Sequence, residues 1–127
     1  MSKKIISTPL APSAIGPYSQ ANFANGILYI SGQIPVDAAT GKLVEGIAKE
    51  THQVMKNLKA VLEEAGMTFR NVVKATIFLK NMDDFAEMNE IYASYLDPDS
   101  YPARETVQVS CLPKNVDIEI SMIAHQD

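Results

Sequence analysis

The chain has 127 residues, 46% of them hydrophobic and 20% charged, enough apolar material for one core and too little length for two. Fifteen acidic against eleven basic residues give a net charge of -4, a balance that repels polyanions and argues against nucleic acid as the main partner. A lone cysteine, Cys111, rules out an internal disulfide, and no apolar run approaches the ~20 residues of a membrane span. A single cytoplasmic domain over 1–127, without membrane attachment, is therefore expected.

A short apolar stretch around Ile5 and Ile6 comes first, and TPLAPSAIGP then holds three of the seven prolines, which marks a loop. YSQANFA and ILYISGQI follow, separated by Asn25-Gly26, a dipeptide that signals a hairpin between two strand-prone runs. In the second run Leu28, Ile30 and Ile34 fall on one side, and Tyr29, Ser31 and Gln33 on the other. DAATGK, 37–42, reads as a turn. From about Glu45 the period lengthens, and Ile47, Thr51, Val54, Met55, Leu58, Val61, Leu62 and Ala65 form one helical stripe that stops at Gly66. Period two returns over 71–80, with Val73, Ala75, Ile77 and Leu79 on one side. Asp83 and Asp84 suit a second helix start, with Glu87 in capping-box spacing after Asp84. Phe85, Met88, Tyr92, Tyr95 and Leu96 form its buried stripe, closed by Pro98. Two strands, about 104–110 and 116–124, flank the turn CLPKN. The pattern predicts an α+β fold, one sheet with both helices on one face.

The run SYPARETVQVS carries the most chemistry. With Val107 and Val109 toward the helices, Arg104, Thr106, Gln108 and Ser110 face away, as do Asp117, Glu119 and Ser121 of the last strand. Pairing Ser110 with Asn115 across the final turn would set Thr106 opposite Glu119 and make Arg104 its diagonal neighbour, at roughly 7 to 8 Å between Cα atoms. The plain reading is a solvated sheet face with a weak surface ion pair. Against it, Tyr29, Phe78 and Ile123 fall on the same face, and apolar groups gathered there suggest a second copy of the chain covering it.

IGPYSQA at 15–21, SGQIP at 31–35, PAR at 102–104 and LPKNVDIEI at 112–120 resemble the signature segments of the RidA/YjgF family of reactive-intermediate deaminases, also called YER057c-type, and the likeness covers essentially the whole chain. The resemblance implies a chorismate-mutase-like fold, related to the ferredoxin-like one, with one mixed sheet of about six strands and two helices. It also implies a homotrimer with three ligand clefts at the subunit interfaces. The activity implied is hydrolysis of small 2-imino acids, such as 2-iminopropanoate and 2-iminobutanoate released by pyridoxal-phosphate-dependent dehydratases, to 2-oxo acids and ammonia. On that footing Arg104 grips the substrate carboxylate in bidentate fashion. Glu119 orients the attacking water and handles its proton. Tyr18, Ser31 and Gly32 line the cleft. Thr106 stands where family members of the RidA type carry cysteine; main-chain groups holding substrate there survive the change, whereas a thiol role does not. A protonated imine is already electrophilic, so positioning suffices and no metal, cofactor or covalent nucleophile is implied.

Cys111, His52 and His125 show nothing that marks a nucleophile or base. Asn89, on the second helix, resembles a recurrent family position and reads as a buried polar tie. Two rival functions accompany the leading one: an endoribonuclease or translation inhibitor, and a non-catalytic sensor or chaperone that binds carboxylates or partner proteins through the arginine cleft.

Overall fold

The computed structural model describes residues 2–127. Asn25 and Gly26 both take positive φ (52° and 80°), the pair of left-handed residues that a two-residue hairpin turn requires. They join β2 (Ala21–Ala24) to β3 (Ile27–Gln33), and β1 (Lys4–Ile6) adds antiparallel to β2. The helical stripe becomes α1 (Ile47–Glu64), which buries Thr51, Val54, Met55, Leu58, Val61 and Leu62. It stops at Gly66, as the sequence indicates: φ there is 75°, Gly66 N–H donates to Glu63 O and Met67 N–H to Leu62 O, both at 2.9 Å, the paired bonds of a Schellman ending. At the other end Gly46 offers no side chain to cap with. The Glu50 carboxylate reaches back instead, accepting from Gly46 N–H (3.1 Å) and from Asp117 N–H (2.9 Å).

The remaining elements are β4 (Val72–Leu79), α2 (Phe85–Ser94), β5 (Ala103–Gln108) and β6 (Ile118–His125). Asp84 makes no capping bond. The turn before α2 is capped by Asn81, whose side chain accepts from Asp83 N–H at 2.9 Å. Val73, expected to face inward, is exposed because the β4–β6 register slips by one residue between Val72 and Lys74.

All six strands form one mixed sheet in the order β1-β2-β3-β6-β4-β5. Both helices pack on one face, where Leu28, Ile77, Leu79, Ile118 and Ile120 meet Val54, Leu58, Leu62 and Met88 in a common core. The last two strands do not form the hairpin expected of them. β5 runs parallel to β4, as a strand reached through a helical crossover does, and β6 enters on the far side of β4, antiparallel to both β3 and β4. β4 thus lies between them: Ile77 pairs with Thr106 on one side and Ile120 on the other, and Phe78 with Val107 and Glu119. Residues 109–117 cross the end of β4, with Val109 N–H donating to Leu79 O and Lys80 N–H to Asp117 O.

Cross-strand partners share a face, so the side assigned to β5 inverts. Arg104, Thr106 and Gln108 lie on the helix face beside Ala75, Ile77 and Leu79. Glu105 and Val107 lie on the open face with Thr76 and Phe78, and Glu105 pairs there with Lys74 (3.4 Å).

Candidate active site

Near the end of β3 the ladder to β6 slips: Ile30 pairs with Met122 but Gln33 with Ile120, so β3 carries one extra residue, a bulge at Ser31-Gly32. The bulge turns Gln33 inward, against the alternation read from the sequence, and lays Gly32 against Glu119 of β6. A Cβ built on Gly32 would stand 2.0 Å from Glu119 Oε2 and 2.8 Å from Cδ, so only glycine leaves the carboxylate where it is. Glu119 is half-buried, and that burial pushes its carboxyl above the usual range. Among the described residues the ion pairs are Arg70–Asp97 and Lys74–Glu105, and neither involves Glu119 or Arg104.

The proline-rich loop forms the facing wall. Buried Gln20 ties it down: Oε1 accepts from Thr8 N–H (2.7 Å), and Nε2 donates to the carbonyls of Thr8 (3.1 Å), Ala11 (3.3 Å) and Pro12 (2.8 Å). Ser31 Oγ donates to Ser19 O (2.6 Å), and Ser31 N–H to Gln20 O (2.9 Å), which fixes the Tyr18 end to the bulge. The walls bound a cavity of about 950 Å³ lined in part by Tyr18, Ser31, Gly32, Lys114 and Glu119. Lys114 reaches this rim from a left-handed backbone position, φ 57°.

Arg104 belongs to the other face. Phe85, Asn89 and Tyr92 recur at i, i+4 and i+7 of α2 and so line up on one side of it. The guanidinium carbon lies 5.5 Å from the Phe85 ring centroid and 5.2 Å from that of Tyr92, and Nη1 donates to Asn89 Oδ1 at 2.5 Å. Asn89, Tyr92 and Arg104, with Tyr101 and Pro102, line a concavity of about 410 Å³. The Tyr92 hydroxyl is buried without a partner; burial pushes its pKa up, while the Arg104 charge pulls the other way. Thr106, next along this face, also has its Oγ1 buried without a partner.

Four of the six expected site residues, Tyr18, Ser31, Gly32 and Glu119, therefore share one cavity. Arg104 and Thr106 stand on the opposite face of the sheet, beyond β4, so the diagonal contact of Arg104 with Glu119 is not made within one chain. That expectation followed from the assumed hairpin. The cradle of Phe85, Asn89 and Tyr92 went unseen, because its helical spacing reads as ordinary core, and so did the loop tie of Gln20. Asn89 is a polar tie as read, and what it ties is Arg104. Among the described residues, no group of three or more His, Cys, Asp or Glu is placed to hold a metal ion, and no helix is long and apolar enough to cross a membrane.

A family model described as Endoribonuclease L-PSP matches residues 8–126. A RutC family protein of Pyrococcus horikoshii is 52% identical over 126 residues, 98% of this chain and 99% of that protein. The 2-iminobutanoate/2-iminopropanoate deaminase of Bos taurus is 48% identical over 125 residues, 98% of this chain and 90% of the bovine one. Among solved structures, a Rid family protein of unknown function from Yersinia pestis matches with a TM-score of 0.96 at 54% identity, covering 98% of this chain and 99% of that one. These matches take in the bulge, the proline-rich loop and the arginine cradle alike. The chain belongs to the Endoribonuclease L-PSP family, the RidA/YjgF group whose signature segments its sequence carries.

Proposed function

We propose that the protein hydrolyses small 2-imino acids, such as 2-iminopropanoate and 2-iminobutanoate, to 2-oxo acids and ammonia. The clefts form where the Arg104 face of one protomer meets the Glu119 cavity of its neighbour in a homotrimer. The observation that carries this reading is Arg104 itself, a cation held by two rings and an amide, without a carboxylate partner among the described residues, at the edge of a small concavity. Such a guanidinium is free to take a carboxylate in bidentate fashion. Glu119, its carboxyl raised by burial, supplies the complementary proton-handling group from the other side of the sheet. One chain cannot present both to a molecule of three or four carbons. The open face also offers a neighbour something to cover: Tyr29 is 48% exposed and Val107 41%, beside half-buried Phe78 and Ile123. The name of the bovine relative supports the same chemistry.

In this mechanism Arg104 holds the carboxylate of the protonated imine. Glu119 takes a proton from water as its oxygen attacks C2, and the C=N π pair moves onto nitrogen. Glu119 then returns the proton to that nitrogen; the C–N bond breaks as C=O forms, and the hydroxyl proton leaves with ammonia as ammonium. A carboxyl that burial raises above its usual range suits both transfers. Pyridoxal-phosphate-dependent dehydratases acting on serine or threonine are the source of substrate.

The test supplies imine from such a dehydratase and threonine and traps it with semicarbazide. Wild-type protein is expected to lower the trapped yield, Arg104→Ala to abolish the effect, and Glu119→Gln to slow it by ~10² to 10⁴. An unchanged yield with wild type, or full activity in Arg104→Ala, overturns the reading. RNA cleavage lost in the same variants would favour an endoribonuclease, and 2-oxo acid binding without turnover a carboxylate sensor.

A further inference from the structure

Acidic residues crowd the segment around Arg104, with Asp83, Asp84, Glu87, Glu90, Asp97 and Glu105 all within it, yet none pairs with the guanidinium. Asp97 is engaged by Arg70, and Glu105 by Lys74 on the open face. The acceptor that does reach Arg104 is the neutral amide oxygen of Asn89. We propose that Asn89 is a positioning residue for Arg104 and that its neutrality is what matters: it fixes the guanidinium and leaves its charge uncompensated for an incoming carboxylate. The inference rests on the role given to Arg104 above and deepens it.

A guanidinium is planar, with five N–H donors around its edge and two flat faces. The Phe85 and Tyr92 rings lie against the group and supply attraction without accepting an edge donor in the ordinary way. Asn89 takes a donor at Nη1, and no other acceptor engages the group among the described residues. Orientation is thus fixed from α2, while further edge donors stay available for the fork that a carboxylate needs. An aspartate in place of Asn89 would hold the group as firmly or more so. It would also neutralise the charge and compete with the ligand for the same donors.

This separates a positioning role from simple helix-to-strand packing. Aspartate has the shape of asparagine, so packing alone predicts Asn89→Asp to be the mild change and Asn89→Ala the harsh one. The proposal predicts the reverse for ligand binding. The experiment titrates 2-oxobutanoate calorimetrically into wild type, Asn89→Asp and Asn89→Ala, and measures kcat, KM and thermal midpoint for each. Asn89→Asp is expected to weaken binding and raise KM by roughly 30-fold or more, with kcat within about twofold of wild type and the midpoint close to it. Asn89→Ala is expected to weaken binding by about 3- to 10-fold. Wild-type affinity in Asn89→Asp, or a larger loss in Asn89→Ala than in Asn89→Asp, overturns the proposal. Were the aspartate variant unable to fold, an unchanged affinity in Asn89→Ala would overturn it alone. Wild-type protein that neither binds 2-oxobutanoate nor consumes imine would sink the function reading instead, so the two failures are distinct.

Discussion

Gly32 has no side chain, and that is why Glu119 has a position. The extra residue in β3 brings backbone so close to the carboxylate that a methyl group at Gly32 would overlap Oε2 and crowd Cδ. In Gly32→Ala the carboxylate must swing aside while the core on the other face is untouched. The expected outcome is a fall of about 10- to 100-fold in kcat, the scale of a misplaced proton-handling group. 2-Oxobutanoate affinity should stay within a few-fold of wild type, because Arg104 is undisturbed. A Gly32→Ala protein with full kcat would show that the reaction does not depend on where this carboxylate sits. Lys114, at the same rim, reaches its place through a left-handed backbone conformation that costs a non-glycine residue some strain.

Between elements, one side chain links the start of α1 to the entry of β6. Glu50 is buried and accepts from the backbone N–H groups of Gly46 and Asp117. Burial, reinforced by the Asp117 carboxyl beside it, pushes Glu50 up from 4.5 to about 7, against the pull of the two N–H donors. Between those two pH values the folded chain keeps a proton that the unfolded chain has released. Stability therefore falls as pH rises through the window and levels off above it, by about 3 kcal/mol from this group. Urea melts from pH 4.5 to 8 are expected to show that decline. Glu50→Gln, which carries no titrating proton, should lack this part of the slope; an unaltered slope would assign the proton elsewhere. The element scale is also where the sequence was most and least legible. Asn25-Gly26, the stripe ending at Gly66 and the outward Glu119 and Ser121 of β6 were readable because each is a short-range pattern with one physical solution. The side of β5 was not: Arg104, Thr106 and Gln108 lie on the helix face, with Arg104 against α2, while apolar Val107 points to the open face, so apolar alternation marks no solvent side. Nor could CLPKN reveal that β6 enters beyond β4. Arg104, Thr106 and Glu119 stood out from strand alternation, their roles and the cleft residues Tyr18, Ser31 and Gly32 came from the resemblance, and the division between two faces came only from the topology. A lone glycine in ILYISGQI was the one local hint of the bulge.

For the molecule as a whole, the division of the site makes a demand on assembly. The particle in solution is expected to have three times the 13.9 kDa mass of the chain, measurable by light scattering. Each cleft would take Arg104 from one protomer and Glu119 from the next. Arg104→Ala and Glu119→Gln should each be inactive alone, yet co-expressed in equal amounts they should regain about a quarter of wild-type activity, since random mixing unites two intact halves in that share of clefts. No recovery would place both groups in one chain's own site. Replacing exposed Tyr29 and Val107 together with lysine is expected to give a folded monomer without activity. On the proposed function, the placement of Arg104 and Glu119 on opposite sides of a single sheet would also tie turnover to crowding of the chain itself. On serial dilution the rate per molecule should hold steady and then collapse at the concentration where the particles come apart, so a cell making only traces of this polypeptide would gain almost nothing from it.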